Sequence, residues 1–382
     1  MRILFLAEGN PESSEGSFSG ISKSLVDGLR SAGHTVATGD VDLHGTGRIL
    51  AALPLFSPRR QRWSVRYHSH AWPARLRGRN AARHIEAHPE TEVILQTGAT
   101  FAPLGRGHRP YHLYCDSNIK MAERGAGTGF SWATQLTPGE LSAVVERERQ
   151  VYLGAAGIFT ISEYLRQSFI SDFGMNPAKV VTAGAGPNFA SSFVPPERVP
   201  KPAGAPPTIL FVGVQFERKG GDVLLRAFEK VRERLPGTRL LVVGPKEPVP
   251  EAPGLEWLGF LRKDDPGDRD RLLDAYREAD LFCLPTRYEP FGIAYLEAML
   301  FGLPCIGTNV WAVPEMVHDG VTGFLIPPDD AEALADRLLT LLQDRALAER
   351  FGRAGKALAA ERFTWKAATE RIANYMTGSL AR

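Results

Sequence analysis

Two glutamates eight residues apart, Glu289 and Glu297, have a spacing that could support chemistry on a sugar. Glu289 follows a short apolar strand in a proline-containing loop, and Glu297 lies inside the next helix. A glycosidase acid/base pair is one interpretation, but such pairs flank one sugar, whereas Glu297 lies back along its helix. We therefore expect Glu297 to accept hydrogen bonds from a diol such as a ribose, and Glu289 to meet hydroxyls of a sugar at the loop tip.

Groups that favour an anion occur near these carboxylates. Arg218 and Lys219 stand between a strand and a helix start, where two cations would neutralise a diphosphate and stabilise it as a leaving group. Unpaired amides at a second helix start would add to this site, and they are those of Phe291, Gly292 and Ile293. On its own the Arg-Lys pair is more often a solvated surface feature.

The elements around these residues alternate between strand and helix. Leu281–Gly320 reads as strand, loop, helix, strand and loop, and the same alternation runs through both halves of the chain. This pattern predicts an α/β protein of two doubly wound, Rossmann-like domains, with ligands at the carboxyl ends of the strands. A proline-rich stretch at 193–207 has the composition of a linker. We expect domains at 1–192 and 208–364, with a last helix, 365–382, packing back on the first.

The first domain opens with an apolar strand, Ile3–Ala7, and a glycine-rich loop that ends at Gly20. The loop lacks the GxGxxG spacing, which argues against a nicotinamide or flavin site. Asp116 follows another buried strand and so lies at the same edge of the predicted sheet.

Bulk properties exclude several other classes. A length of 382 residues and a net charge of +2 are those of a two-domain globular protein, with no charge excess that implies nucleic acid. The three cysteines are widely spaced, which fits a reducing cytoplasm and gives no metal motif. We expect no signal peptide, no membrane-spanning segment and no bound metal.

Arg59–Arg83 has an unusual composition: eight arginines and three large aromatic residues without an acidic one. Such a segment could recognise an anionic acceptor, make peripheral contact with an anionic membrane, or bind nucleic acid. A solvated surface segment explains it equally well. We do not expect nucleic acid as a partner, because the overall charge is so small.

The residues between Glu289 and Met299, EPFGIAYLEAM, closely resemble the E-x7-E motif of retaining GT-B glycosyltransferases of family 4, the glycosyl transferases of group 1. Further segments resemble the same family in the same order, and they are Arg218-Lys219-Gly220, Gly259-Phe260, Val313-Pro314-Glu315 and Gly320–Leu325. The resemblance is specific over about residues 208–364 and thinner before them.

The resemblance implies a GT-B fold, with two Rossmann-like domains facing across a cleft and a nucleotide-activated sugar held by the second domain. Glu297 would bind the ribose and Glu289 would orient the donor sugar. Arg218 and Lys219 would bind the diphosphate, and the amides near Gly292 and Ile293 would contact sugar or phosphate. The main chain at Phe260 and Leu261 would meet the base, and the loop ending in Gly20 would lie near the phosphates.

Two departures from the family pattern are visible. Many members carry an arginine where this chain has Val214, so Arg218 would bear more of the phosphate charge. Many also have a histidine at the end of an amino-terminal strand, where this chain offers Gly98 and Asp116. Asp116 is therefore a second catalytic candidate, in contact with acceptor or donor.

The sequence thus predicts a retaining glycosyltransferase that needs no metal ion or other cofactor. It would move a sugar from a nucleoside-diphosphate donor, UDP-linked before GDP-linked, to a hydroxyl of a glycan, a lipid-linked sugar or a natural product. In the front-face mechanism expected for the family, the leaving phosphate takes the acceptor's proton. The alternatives are a nucleotide-sugar-binding protein without turnover, and an epimerase or phosphorylase of the same fold.

Overall fold

The structure is a computed structural model that describes residues 1–13, 20–189, 193–196, 201–202 and 204–380. The chain forms two compact units, Met1–Ala185 with Trp365–Arg382 and Gly186–Thr364. Parts of three predicted segments lie outside the described residues: 14–19 of the glycine-rich loop, 197–200 and 203 of the linker, and the last two residues of the final helix.

The first unit is built on a parallel sheet of six strands in the order β2-β1-β3-β4-β5-β6. Its strands are β1 Arg2–Ala7, β2 Thr35–Asp40, β3 Val93–Thr97, β4 Tyr111–Cys115, β5 Gly157–Thr160 and β6 Val180–Thr182. The helices of this unit are α1 Ile21–Ser31, α2 Gly45–Ala52, α3 Arg60–Ser69, α4 Ala71–Ala87, α5 Ile119–Ala126, α6 Pro138–Gly154, α7 Glu163–Phe173 and α14 Trp365–Leu380.

The second unit has a parallel six-stranded sheet in the order β12-β11-β10-β7-β8-β9. Its strands are β7 Thr208–Val212, β8 Arg239–Val243, β9 Leu255–Gly259, β10 Leu281–Leu284, β11 Cys305–Thr308 and β12 Gly323–Ile326. Its helices are α8 Gly221–Arg234, α9 Pro266–Glu278, α10 Ile293–Leu300, α11 Val313–Met316, α12 Ala331–Gln343 and α13 Arg345–Arg362.

The prediction of two Rossmann-like α/β domains is confirmed. Central strands such as β3, β4 and β10 are buried along their whole length, as expected for parallel strands covered by helices on both faces. In each sheet the strand order changes direction at one point. In the first sheet β2 lies on one side of β1 and β3 on the other, and in the second sheet β8 lies on one side of β7 and β10 on the other. Ligands of such sheets bind beside this switch point, at the carboxyl ends of the strands.

The last helix, α14, packs within the first unit. Gly28 of α1 lies against it so closely that a Cβ there would stand 2.7 Å from the methyl group of Thr369. The Tyr375 hydroxyl donates to the Ala156 carbonyl at 3.2 Å, and Arg371 donates to the carbonyl of Ala183 at 2.8 Å. These contacts hold α14 to α1 and to the segments beside β5 and β6.

All three cysteines are buried and unpaired thiols. Among the described residues, no helix combines the length and the apolar character that crossing a bilayer requires.

One histidine lies inside the sheet of the first unit. His112 of β4 is fully buried, with its ring stacked on Phe159 at 5.8 Å and edge-on to Tyr375 at 6.1 Å. Burial lowers the pKa of His112 to about 4, because the apolar surroundings disfavour the imidazolium.

We predict that His112 makes the fold sensitive to acid. The unfolded chain takes up its proton near pH 6.5, whereas the folded chain does so only near pH 4. The contribution of the neutral His112 ring to the free energy of unfolding is therefore fully present above pH 6.5 and is lost as the pH falls towards 4. Replacing His112 by Phe should reduce the loss of unfolding free energy between pH 7.5 and pH 4.5 by about 2–3 kcal/mol.

Urea denaturation at both pH values measures this difference. Replacement of the exposed His108 by Phe is the control and should leave the pH dependence unchanged. Equal pH dependence in the wild type and in His112→Phe would show that His112 is not held neutral by the fold.

Candidate functional site

The switch point of the second sheet brings two loops together. β7 ends at Val212 and β10 at Leu284, and these strands are hydrogen-bonded neighbours. The loop from β7 carries Arg218 and Lys219, and the loop from β10 carries Glu289. The structure therefore gathers residues that lie 70 positions apart in the chain.

Both loops lead into helices that no side chain caps. Gly220 precedes α8 and Gly292 precedes α10, each in the left-handed region, with φ of 74° and 110°. Gly220 cannot be replaced without movement, because a Cβ there would lie 1.9 Å from the Pro285 carbonyl oxygen. The Gly221 N–H of α8 donates to the Phe216 carbonyl at 2.8 Å, and the Tyr295 N–H of α10 donates to the Gly292 carbonyl at 3.0 Å. The remaining first-turn amides of each helix are therefore the candidates for binding an anion.

Lys219 and Glu289 form a buried ion pair. The Lys219 ammonium donates to Oε2 of Glu289, and their side chains are 13% and 7% exposed. Burial lowers the pKa of Lys219, and the attraction of Glu289 opposes this shift. Glu289 of the β10 loop is therefore buried and turned inward onto Lys219.

Arg218 is fixed by the β10 loop. Its guanidinium donates to the Tyr288 carbonyl at 2.5 Å and also contacts the side chain of Gln215. Its own carbonyl accepts the Arg287 N–H at 3.0 Å and the Thr286 hydroxyl at 3.2 Å. The two loops are therefore joined through main chain as well as side chains.

Arg287 was not among the predicted site residues, although it braces both loops. It makes two hydrogen bonds to the carboxylate of Asp222, at 2.7 and 2.8 Å, and one to Asp329 at 2.6 Å. The Asp222 carboxylate is the main cause of the raised pKa of Arg287. No sequence motif marks this residue, because its partners lie far away in the chain.

Glu297 is 3% exposed and is surrounded by donors. The Tyr276 hydroxyl donates to Oε2 at 3.0 Å, while Oε1 accepts from the Lys263 ammonium and, at 3.2 Å, from the Asn188 N–H. A carboxylate oxygen can accept two hydrogen bonds, so Oε2 keeps capacity for a further donor. Sequence reasoning missed these three partners.

The other predicted donor-site residues differ in exposure. Phe260 is exposed, and the Lys246 ammonium lies over its ring, 5.1 Å from the ring centroid. Leu261 is buried. Phe291 is buried and Ile293 partly so. Val214, which stands where an arginine is common in the family, is 49% exposed and brings no charge.

Two predicted residues, Asp116 and Gly20, belong to the first unit. Asp116 follows β4 and is partly buried. The loss of water around its carboxyl raises the pKa of Asp116 to about 6, although hydrogen bonds from nearby backbone amides oppose this shift. Gly20 precedes α1 in the left-handed region, with φ of 85° and no capping side chain, like Gly220 and Gly292. His112 lies within β4 and not at its end, so it does not supply the histidine expected there.

The arginine-rich segment 59–83 forms most of α3 and α4, and several of its members are bound within the first unit. Arg62 and Arg66 reach Glu140 at 3.7 and 2.8 Å. Arg77 is fully buried and lies 3.1 Å from Glu8 and 3.4 Å from Asp42. The exposed members are Arg59, Arg60, Arg75, Arg79 and Arg83.

Within the described ranges, no group of three or more His, Cys, Asp or Glu side chains could hold a metal ion.

Comparison with known proteins places the second unit in a family. Residues 206–344 match the family model of the glycosyl transferases group 1. A phosphatidyl-myo-inositol mannosyltransferase of Mycobacterium leprae is 37% identical over 171 residues, which cover 43% of this chain and 45% of the relative. A GDP-mannose-dependent alpha-(1-6)-phosphatidylinositol monomannoside mannosyltransferase of Mycolicibacterium smegmatis is 30% identical over 241 residues, 57% of this chain and 61% of the relative.

The matched part thus spans about half the length of these curated relatives. The similarity in fold covers more of the chain than the similarity in sequence. A sucrose-phosphate synthase from Thermosynechococcus elongatus superposes over 100% of both chains, with a TM-score of 0.73 at 20% identity. The prediction of the GT-B fold is confirmed by this likeness. Residues 206–344, within the second unit, are thus similar in sequence to the glycosyl transferases of group 1.

Proposed function

We propose that this protein is a retaining glycosyltransferase that moves a sugar from a nucleoside-diphosphate donor to a hydroxyl acceptor. The observation that carries the proposal is the pairing of Lys219 with Glu289 between two uncapped helix starts at the switch point of the second sheet. Its relatives, which are named as mannosyltransferases, support transfer of a sugar as the reaction class.

The diphosphate would be held by charge and by amides. Arg218 and Lys219 supply two cations, and the starts of α8 and α10 supply N–H groups aligned with the positive ends of two helix dipoles. Lys219 is held in place by Glu289, so its ammonium is positioned before a ligand arrives.

Glu297 would anchor the ribose. Its carboxylate is fixed by Tyr276 and Lys263, and Oε2 can accept another hydrogen bond. Because Glu297 lies one turn inside α10, a ribose there would be separated from Glu289 by the part of the ligand that binds at the start of the helix. This order matches that of a nucleoside diphosphate sugar: ribose, diphosphate, sugar.

In the proposed reaction, a bond forms between the acceptor oxygen and the anomeric carbon of the sugar. The bond from that carbon to the phosphate oxygen breaks, and its electron pair goes to the diphosphate. The acceptor's proton passes to the leaving phosphate oxygen on the same face, which retains the configuration. Arg218 and Lys219 stabilise the charge that develops, and Glu289 orients the sugar.

On this proposal, side-chain cations and helix dipoles neutralise the diphosphate, so that no metal ion is needed. Asp116 of the first unit is proposed to contact the acceptor or the donor. With a pKa near 6, its carboxyl changes protonation within the range in which enzymes commonly operate.

The donor base and the acceptor are open to direct test. UDP is the more frequent base among such donors, whereas the mycobacterial relative is named as GDP-mannose-dependent. We propose an acceptor hydroxyl on a glycan, a lipid-linked sugar or a natural product. Measuring release of free nucleoside diphosphate from UDP- and GDP-sugars, with and without candidate acceptors, identifies the pair. Binding without release would indicate a binding protein and contradict the proposed activity.

We predict that Glu297→Gln weakens binding of UDP or GDP, whichever the wild type binds, by about 10- to 100-fold. The reason is the loss of a charge-assisted hydrogen bond to the ribose. Calorimetry with the matching 2′,3′-dideoxynucleoside diphosphate should give equal dissociation constants for wild type and variant, because that ligand has no ribose diol.

Replacement of the exposed Glu361 by Gln is the control and should change neither binding constant. An equal loss for both nucleotides in Glu297→Gln would assign Glu297 a structural role and remove it from the ribose site.

We predict that Lys219→Gln lowers kcat/KM for the donor by about 100-fold or more, because the developing charge on the leaving diphosphate loses a fixed cation. The assay is release of nucleoside diphosphate, with circular dichroism to confirm folding. Lys356→Gln removes an exposed lysine of the same unit and should leave kcat/KM unchanged. Unchanged kcat/KM in the folded Lys219→Gln variant would contradict the assignment of Lys219 to the diphosphate.

A further inference from the structure

Helix α2 and the short 3-10 turn after it, Leu53–Leu55, carry apolar side chains on two opposite faces. One face is buried in the first unit through Ala51 and Leu55. Ala51 belongs to a small core with Leu43 and Tyr67. This face explains how the segment is attached.

The opposite face is apolar but open to solvent. Ile49, Leu50, Leu53 and Phe56 are 60%, 68%, 56% and 60% exposed. Their spacing puts them on one side of the helix and its continuation, since positions i, i+1, i+4 and i+7 share a face. Single exposed apolar residues are ordinary, but four large ones in a continuous stripe mark a contact surface. We call these four residues the apolar stripe.

The apolar stripe is presented on a fixed backbone. The Trp63 indole N–H of α3 donates to the Ala52 carbonyl at 2.8 Å, and Arg66 donates to the Leu55 carbonyl at 3.4 Å. The ring of Phe56 packs edge-on against Trp63 at 5.4 Å. The stripe is thus held outward by contacts on the other side of the segment.

Along the chain, the charged residues that flank the stripe are all arginines. Between Leu43 and Ile85 the chain has nine arginines and no aspartate, glutamate or lysine. Arg48 lies on α2 itself, beside the stripe, with a side chain that is 55% exposed and 3.9 Å from Asp42. Arg59 and Arg60 follow Phe56 after Ser57 and Pro58 and are exposed. Exposed cations thus flank the stripe on both sides along the chain.

We propose that this surface binds an anionic lipid bilayer, with the apolar stripe in the headgroup–acyl boundary and Arg48, Arg59 and Arg60 on lipid phosphates. An apolar face rimmed by arginines is the arrangement by which interfacial helices bind anionic membranes. A soluble protein partner would have to match the same positive rim with acidic residues, whereas a bilayer supplies both the apolar layer and the anionic charge.

The membrane-binding surface proposed here differs in extent from the segment that the sequence predicted. The sequence predicted the membrane contact at Arg59–Arg83, but Arg62, Arg66 and Arg77 of that range pair with carboxylates of the first unit and are only 35%, 29% and 0% exposed. Arg48, which lies 3.9 Å from Asp42, keeps 55% of its side chain exposed.

The surface we propose comprises α2 and the start of α3, because Arg59 and Arg60 adjoin the apolar stripe in the chain, whereas the exposed Arg75, Arg79 and Arg83 lie on α4. It goes beyond the proposed reaction and does not depend on it, because vesicle binding is measured without a donor.

Co-sedimentation of the full chain with vesicles tests the proposal. Vesicles of phosphatidylcholine and phosphatidylglycerol should bind the wild type, vesicles of phosphatidylcholine alone should bind it weakly, and added salt should reduce binding. The triple variant Leu50→Ser, Leu53→Ser, Phe56→Ser should reduce the partition coefficient by about ten-fold or more. Leu153→Ser removes an exposed leucine elsewhere in the same unit and should have no effect.

A second pair of variants separates charge from apolar area. Arg59→Gln with Arg60→Gln should lower binding to anionic vesicles only, whereas Arg345→Gln with Arg353→Gln should not change it. Failure of the wild type to bind anionic vesicles, or undiminished binding by the triple serine variant, overturns the proposal. A wild-type dimer that the triple variant splits, seen by light scattering without vesicle binding, would instead make the stripe an interface between two copies.

Discussion

The ion pair between Lys219 and Glu289 is the interaction on which the geometry of the candidate site depends. Both charges are almost removed from water, and such a pair gains little net stability because desolvation offsets the attraction. Its value for folding is therefore small, while the cost of leaving either charge alone is large. A pair of this kind, placed between two helix starts, is better explained by a ligand that exchanges with one partner than by stability. The diphosphate that we propose as part of the donor would be such a ligand, because it would compete with Glu289 for the Lys219 ammonium.

The rest of the second unit keeps this pair in place. Gly220 lets the β7 loop approach the Pro285 carbonyl, and Arg287 ties the β10 loop to Asp222 at the start of α8. Trp311 donates to the Arg287 carbonyl at 3.1 Å, which adds the segment after β11 to the same brace. The loops that carry Arg218, Lys219 and Glu289 are consequently tied together, which the proposed electrostatic catalysis by fixed charges would require.

Much of this arrangement can be predicted from the sequence. Buried strands alternating with helices specify the sheets, and the loops between them carry Arg218, Lys219 and Glu289 at one edge. The burial of Glu289 was not predicted, because it results from a contact between two loops 70 residues apart. The roles of Arg287, Lys263 and Tyr276 were missed for the same reason, since each acts on a partner that only the folded chain brings near. The apolar stripe on α2 was missed because its residues resemble an ordinary buried helix until their exposure is known.

A crystal structure of the protein with a nucleoside diphosphate bound would test the proposed site most directly. We expect diphosphate oxygens within hydrogen-bonding distance of the Lys219 ammonium and of the amides at the start of α10, with the ribose hydroxyls on Glu297. A diphosphate bound away from Lys219, with the Lys219–Glu289 pair and the two helix starts unoccupied, would contradict it.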